Sequence, residues 1–421
     1  MIAFHYPPLQ TGSGVERAHA FVRYLPEHGW EPLVLTVTPG LHHAGQGGAD
    51  GAAAICGQFE PADAARVFRT PALDAAAHFA VGGRYPGMLA LPDRWITWWL
   101  SAVPAGLRLI RRYRPYAIWS TYPIATAHLI GLALHRCSGL PWLAEFRDPM
   151  LDHDYPPAPR RHRQHAWIER QAVQRCAALV CATPGAAKAL AQRHPRLAPQ
   201  RLHVIANGYD EVPFARLERQ PRSAPGGSRL FRLLHSGVVY PSERDPRQLF
   251  AAIARLRTNG VIHANTFRLV LRASGHDDFL RALMAVHDGL GELVELAPAL
   301  PRQAALAEML DADGLLVLQA ANCNHQVPAK VYEYLRAQRP VLALTDRAGD
   351  TAHVLRQAGI ADMAPLDDRD AIAAALAAFL HRCRMGEPPV PERTAVLQHT
   401  RAARTRDLAS LLDKLARGAA P

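Results

Sequence analysis

Four segments of the chain combine residue types that could handle an anion. Gln10-Thr11-Gly12-Ser13-Gly14 lies between a first apolar run and an amphipathic stretch. Glycines there let the backbone approach a phosphate, and the free N–H groups of a following helix would hold it. The spacing is not GxGxxG, so no dinucleotide fingerprint is present, and a simple tight turn accounts for the same residues. Asn207-Gly208-Tyr209-Asp210 follows an apolar strand, and Asn-Gly is a turn dipeptide. The run HSGVVYPSERDP at 235–246 sets Gly237 in a small-residue turn and delivers Arg244 to a helix start. A cation beside helix N–H groups can stabilise a leaving diphosphate without a metal. The plainer role for Arg244 is a surface pair with Glu243 or Asp245. The run NHQVPAKVYEYL at 324–335 starts a helix at Pro328 and places Lys330 and Glu333 on one face. A carboxylate there suits bidentate hydrogen bonds to two ribose hydroxyls; the plainer role is an intrahelical Lys330–Glu333 pair worth about 0.2–0.5 kcal/mol.

Positioning these segments requires a regular scaffold, and the hydrophobic pattern predicts one. In the first half, strand MIAFHY is followed by a helix over 15–28 and strands at 32–37 and 65–70, with a Gly/Ala-rich loop at 40–64. A tryptophan-rich helix from about 93 to 113 follows, then strand 116–120, helix 125–137, strand 141–146, helix 159–176, strand 178–183, helix 184–193 and strand 201–206. Strands alternating with helices imply a parallel sheet covered on both faces. Residues 211–229, rich in Pro, Gly, Ser and Arg, read as a linker. The second half repeats the alternation from strand 230–236 to a helix at 368–383, and a charged amphipathic helix over about 392–417 could cross back onto the first domain. The predicted organisation is therefore an N-terminal Rossmann-like domain at 1–210, a linker at 211–229, a C-terminal Rossmann-like domain at 230–385 and a C-terminal helix within 386–421. Such doubly wound units take ligands at the carboxyl ends of their strands.

Length and composition bound the class. At 421 residues the chain exceeds one comfortable core, so two domains are expected. A formal net charge of +11 favours an anionic partner, whether phosphate, nucleic acid or membrane surface. The six cysteines are scattered without zinc or disulfide spacing, and free thiols fit a reducing cytosol. The first residues lack a signal-peptide pattern, and no apolar run reaches the length of a membrane span. Asp152-His153-Asp154 resembles a DxD metal motif, but that motif belongs to a fold with one Rossmann-like domain, and no metal is expected here. Asp311-Ala312-Asp313-Gly314 reads as a turn before an apolar strand.

Taken together, these segments resemble glycosyltransferase family 4, the retaining enzymes of the GT-B fold. The matching pieces are YPP…GSG…R at 6–17, FRDP at 146–149, ANGYD at 206–210, HSGVVYPSERDP at 235–246 and AKVYEYLRAQRPVLAL at 329–344. The wording of FRDP and KVYEYL is similar to a bacterial polysaccharide-associated branch. The resemblance implies two Rossmann-like doubly wound domains facing across a cleft, a nucleotide-sugar donor and a saccharide or lipid-linked acceptor. It implies neither metal nor cofactor, and no nucleic-acid partner. Residue by residue, Gly12 and Gly14 would face the donor diphosphate, Arg244 would be its cation, and Glu333 would bind the donor ribose. Gly237, Gly275, His325 and Ala329 would complete the donor's surroundings. The chain departs from the family at His325, which stands eight positions before Glu333 where a second glutamate is usual, and at Val238, where an arginine is common. Lys330 would supply the missing charge. Thr121 stands in place of the family's first-domain histidine, and Asp148 is the nearest acidic candidate. These departures keep two alternatives: a non-catalytic GT-B subunit, and another GT-B enzyme such as a sugar-nucleotide epimerase.

A last expectation concerns location. Trp95, Trp98, Trp99 and Leu100 lead into Arg108, Arg111, Arg112 and Arg114, and Arg160, Arg161 and Arg163 precede Trp167. Tryptophan beside arginine at helical spacing suits an anionic membrane surface, so a cytoplasmic protein peripheral to the inner membrane is expected. Core tryptophans with a solvated basic face are the alternative.

Overall fold

The computed structural model describes residues 1–8, 12–39, 66–78, 87–152, 155–156, 158–219 and 230–418. The chain divides into two compact units, Met1–Ala206 with Arg401–Pro421, and Asn207–Thr400.

In the first unit the strands Leu33–Val37, Arg66–Thr70, Ile118–Thr121, Trp142–Phe146, Ala178–Cys181 and Leu202–Val204 all pair in parallel. The opening segment, expected as a full strand, makes only isolated bridges at Ile2, to Leu35 on one side and Ser120 on the other. Those bridges nevertheless join the two halves of the sheet. The order across it places the opening segment in the middle, with later strands added first to one side and then to the other. This is the doubly wound arrangement, and its switch point lies between the opening segment and Ile118–Thr121. The interior strands are nearly continuous apolar runs because helices cover both faces. Trp142–Phe146 is buried at every position. Its one charge, Glu145, is matched by Arg17, whose Nε donates to Oε1 over 2.8 Å with both side chains 4% exposed.

The second unit has a six-stranded parallel sheet. In spatial order its strands are Met363–Ala364, Val341–Leu344, Gly314–Leu318, Phe231–Ser236, Phe267–Arg272 and Val294–Ala297. The switch point falls between Phe231–Ser236 and Gly314–Leu318. Leu233, Leu269, Leu316 and Leu342 pack with Phe250, Ile253, Leu376 and Phe379 of the covering helices in one core.

Several boundaries differ from the sequence reading. Residues 211–218, read as linker, form a helix of the second unit, because Asp210 caps it by accepting the Val212 N–H over 3.3 Å. The C-terminal stretch is two helices, Arg393–Leu397 and Arg401–Gly418, and the second belongs to the first unit. There it buries Leu408, Leu411 and Leu412 against Phe21, Trp119 and Leu143. Within the second unit, the ANGYD segment is packed against the residues near His399. Tyr209 N–H donates to the His399 carbonyl over 3.1 Å, and a Cβ on Gly208 would lie 2.4 Å from that carbonyl oxygen.

Candidate active site

Two clusters form at the two switch points, one in each unit. In the second unit, strand Phe231–Ser236 ends in the turn Gly237–Val239, which is held against the neighbouring strand's exit by Val239 N–H to Ser274 O at 2.9 Å. Gly237 has φ +117° and Gly275 φ +76°, conformations that favour glycine. A Cβ on Gly237 would lie 2.7 Å from Lys330 Nζ. Lys330 is in the first turn of helix Ala329–Ala337, which Pro328 precedes without a side-chain cap. The first N–H groups of this helix therefore face the same strand ends as the lysine.

Arg244 does not pair with Glu243 or Asp245. Its Nη1 donates to Val238 O over 2.5 Å, and its guanidinium lies over the Tyr240 ring at 5.3 Å. Asp245 instead pairs with Arg247. The intrahelical Lys330–Glu333 pair does not form either. Glu333 Oε1 accepts from Arg302 Nη2 over 2.8 Å, and Glu333 is 8% exposed. Among the described residues, neither Lys330 nor Arg244 has a salt-bridge partner. Burial, and next the charge of Arg244, press the Lys330 pKa well below the ordinary lysine value, with Glu333 opposing. A lysine and an arginine set together without a salt-bridge partner suit a multiply charged anion, whose arrival would relieve the penalty on Lys330.

The approach to this helix is held by a network that the motif reading missed. Gln319 is 3% exposed, and its Nε2 donates to Cys323 O over 2.7 Å and Gln326 O over 3.0 Å. Its Oε1 accepts from Thr351 Oγ1 over 2.5 Å. Together they fix the loop that carries His325 and leads to Ala329. A visible signal existed in the sequence: a polar residue closes the otherwise apolar strand GLLVLQA.

In the first unit, Gly12 and Gly14 lie in the first turn of helix Gly12–Tyr24 rather than in a loop before it. Residues 9–11 of the expected loop lie outside the described residues. Gly14, Thr121, His5, Tyr122 and Arg147 line one small pocket at the switch point. Arg147 occupies the space beside Gly14, where a Cβ would lie 1.3 Å from Nη1. The guanidinium also pairs with Asp148 over 2.9 Å, which brings that carboxylate to the edge of the same cluster. Burial, then the Arg147 charge, lower the His5 pKa to about 4. Asp152 exchanges backbone hydrogen bonds with Tyr155, while residues 153 and 154 of the DxD-like segment lie outside the described residues.

The tryptophan helix divides differently from expectation. Trp98 is fully buried and donates to Thr70 Oγ1 over 2.9 Å, and Trp95 packs on Phe4 with ring centroids 4.9 Å apart. Trp98 is a core residue because the helix Trp98–Tyr113 covers the sheet, and Trp95, just before that helix, is partly buried against the same core. Trp99, Leu100 and Trp167 remain exposed.

Known structures share the fold across nearly the whole chain. Sucrose-phosphate synthase from Thermosynechococcus elongatus is 14% identical with a TM-score of 0.70, covering 99% of each chain. A glycosyltransferase from Rickettsia africae is 10% identical with a TM-score of 0.63, covering 99% of each chain. Anabaena HepE, solved in complex with UDP and glucose, is 13% identical with a TM-score of 0.61, covering 98% of this chain and 100% of the other. The fold is thus the two-unit GT-B fold of these structures. Within it, residues 12–208 match the glycosyl transferase 4-like domain, so the first unit carries that domain. No curated protein matches the sequence.

Proposed function

We propose that the protein transfers a sugar from a UDP-sugar to a saccharide or lipid-linked acceptor, without a metal and with retention of the donor's anomeric configuration. The observation that carries this reading is the pair of unneutralised cations, Lys330 and Arg244, beside Gly237 and an uncapped helix N-terminus at the second unit's switch point. That set provides what a leaving diphosphate needs, namely charge and N–H donors where negative charge develops. Glu333, on the same helix, engages Arg302 through Oε1 and is the carboxylate for the ribose hydroxyls. The UDP and UDP-glucose in the HepE complexes support uridine as the donor nucleoside. Retention rests on the family 4 likeness, as does a place in bacterial polysaccharide assembly. A screen of UDP-, GDP-, ADP- and dTDP-sugars by calorimetry and turnover tests the proposal, with NMR of the product's anomeric centre. Preference for a UDP-sugar, activity in EDTA and a retained anomer are expected. Strict Mg²⁺ or Mn²⁺ dependence would refute the metal-independent mechanism. Absence of binding to any donor would favour the non-catalytic subunit.

A second reading concerns the surface. Helix Trp98–Tyr113 exposes Trp99, Leu100 and Pro104 near its start and Arg108, Arg111 and Arg112 near its end. An apolar patch running into arginines suits headgroup-depth insertion beside anionic lipid, and would bring the first unit to a lipid-linked acceptor. No helix among the described residues is long and apolar enough to cross a membrane. Flotation with phosphatidylglycerol vesicles at low salt should recover the protein, and an L100D/R108E/R111E variant should stay behind. Wild-type protein left at the bottom of the gradient would refute the membrane contact.

A further inference from the structure

The proposed donor site contains a buried imidazole to which no role has yet been given. His235 is the penultimate residue of strand Phe231–Ser236 and is 0% exposed. Its Nδ1 lies 2.8 Å from the carbonyl oxygen of Leu316, on the strand across the switch point. A carbonyl oxygen only accepts, so Nδ1 carries the proton and Nε2 presents a lone pair. Lys330 Nζ stands 3.2 Å from Nε2. The lysine is thus held from the side by the imidazole, directly over the position that Gly237 leaves open, where a Cβ would come within 2.7 Å. Both strands that define the switch point take part, one through His235 and the other through the Leu316 carbonyl.

We propose that His235 is a positioning residue for sugar transfer: a neutral, Nδ1-protonated imidazole whose Nε2 accepts from Lys330 and holds Nζ over Gly237 to meet the donor diphosphate. The inference rests on the donor-site reading above. The choice of side chain has a physical reason. A carboxylate in this place would also hold the lysine, but would cancel the charge that the diphosphate needs. An imidazole kept neutral directs Nζ while leaving its charge for the ligand. The surroundings favour the neutral form: burial, and next the Lys330 charge, hold the His235 pKa well below the ordinary histidine value, with Arg244 acting in the same direction and the backbone of Leu316 and Gly237 opposing. The remaining titratable neighbours of Lys330 are Arg244 and Glu333, and Tyr334 closes the base of the site by accepting the Ser236 N–H over 2.8 Å. None of these offers a competing acceptor to Nζ among the described hydrogen bonds.

A double-mutant cycle separates this role from simple packing. His235→Leu fills the space but removes the acceptor, Lys330→Ala removes the cation, and the two are combined. UDP affinity by calorimetry is the readout, and turnover of UDP-glucose is followed in parallel. Each single variant should weaken UDP binding roughly tenfold or more, as for loss of a charge-assisted hydrogen bond. The double variant should be no weaker than Lys330→Ala alone, because His235 acts only through the lysine. His235→Gln, which can place an amide oxygen near the Nε2 position, should recover part of the affinity. Thermal melts of all variants, including His235→Gln, control for folding. If His235→Leu leaves affinity unchanged, or costs the same in the Lys330→Ala background as in the wild type, the positioning role is overturned. If no nucleotide binds, the donor-site reading itself fails and the inference falls with it.

Discussion

Replacing Gly237 with alanine tests both the backbone and the chemistry of the second unit's site. The glycine has φ +117°, where an L-residue is strained, and the cost is of order 1–3 kcal/mol. A domain of this size loses about 2–4 °C of Tm per kcal/mol, so a drop of roughly 2–12 °C is expected. The new methyl would also lie 2.7 Å from Lys330 Nζ. The end of a lysine is flexible, so it should swing aside rather than add much strain. That movement breaks the contact with His235 and takes the cation away from the strand end. UDP affinity should therefore fall about as far as in Lys330→Ala, by roughly tenfold. Gly260→Ala is the control: it has φ +73°, and nothing lies within 4 Å of its would-be Cβ. It should lower Tm but leave UDP affinity unchanged. Calorimetry and thermal melts on the three proteins decide the matter. Undiminished UDP binding by Gly237→Ala would show that the lysine's place over the glycine has no part in binding. An equal loss of affinity in Gly260→Ala would show that strain alone explains the effect.

Three further outcomes follow from particular contacts. Glu333→Gln should lower donor affinity roughly tenfold while lowering Tm little, since only one of its oxygens is engaged by Arg302; unchanged affinity by calorimetry would remove Glu333 from the site. Arg17→Met should destabilise the first unit by about 3–5 kcal/mol, because it strands the buried Glu145 carboxylate and frees the carbonyls of Ile205 and Ala206, which Arg17 also binds; urea unfolding measures this, and an added Glu145→Leu should recover part of it. The pH dependence should be steep on the acid side of neutrality. Burial holds His128 down to about 3 and His5 to about 4, so each is neutral when folded but protonates near 6.5 when unfolded. Their contribution to stability is complete above about pH 6.5 and is lost as pH falls towards the folded values, by up to about 1.4 kcal/mol per pH unit for each histidine. Urea midpoints between pH 7.5 and 4.5 should show this slope, and His128→Gln should make it shallower.

Alternation of apolar strands with amphipathic helices was enough to predict two parallel, doubly wound units, because that pattern depends only on local periodicity and on burial of both sheet faces. The glycines at 237 and 275 and the helix start at Pro328 were likewise readable, since turn and cap preferences are properties of short segments. Which charge meets which depended on packing between segments far apart in the chain. Spacing along the helix offered Glu333 to Lys330, yet Glu333 turns to Arg302, 31 positions away in sequence. Neighbours in sequence offered Glu243 and Asp245 to Arg244, yet its guanidinium lies on Tyr240. His235 stood inside a quoted motif as an apparently ordinary strand residue. Only the pairing of its strand with the one carrying Leu316 sets its Nδ1 against that carbonyl and its Nε2 beside Lys330, 95 positions later. The tryptophans divided for the same reason: periodicity marked a helix, but the sheet it covers decided that Trp98 is interior and Trp99 exposed. Short-range preferences are written residue by residue, whereas the neutralisation of a charge is decided by whatever the fold brings within a few ångströms of it.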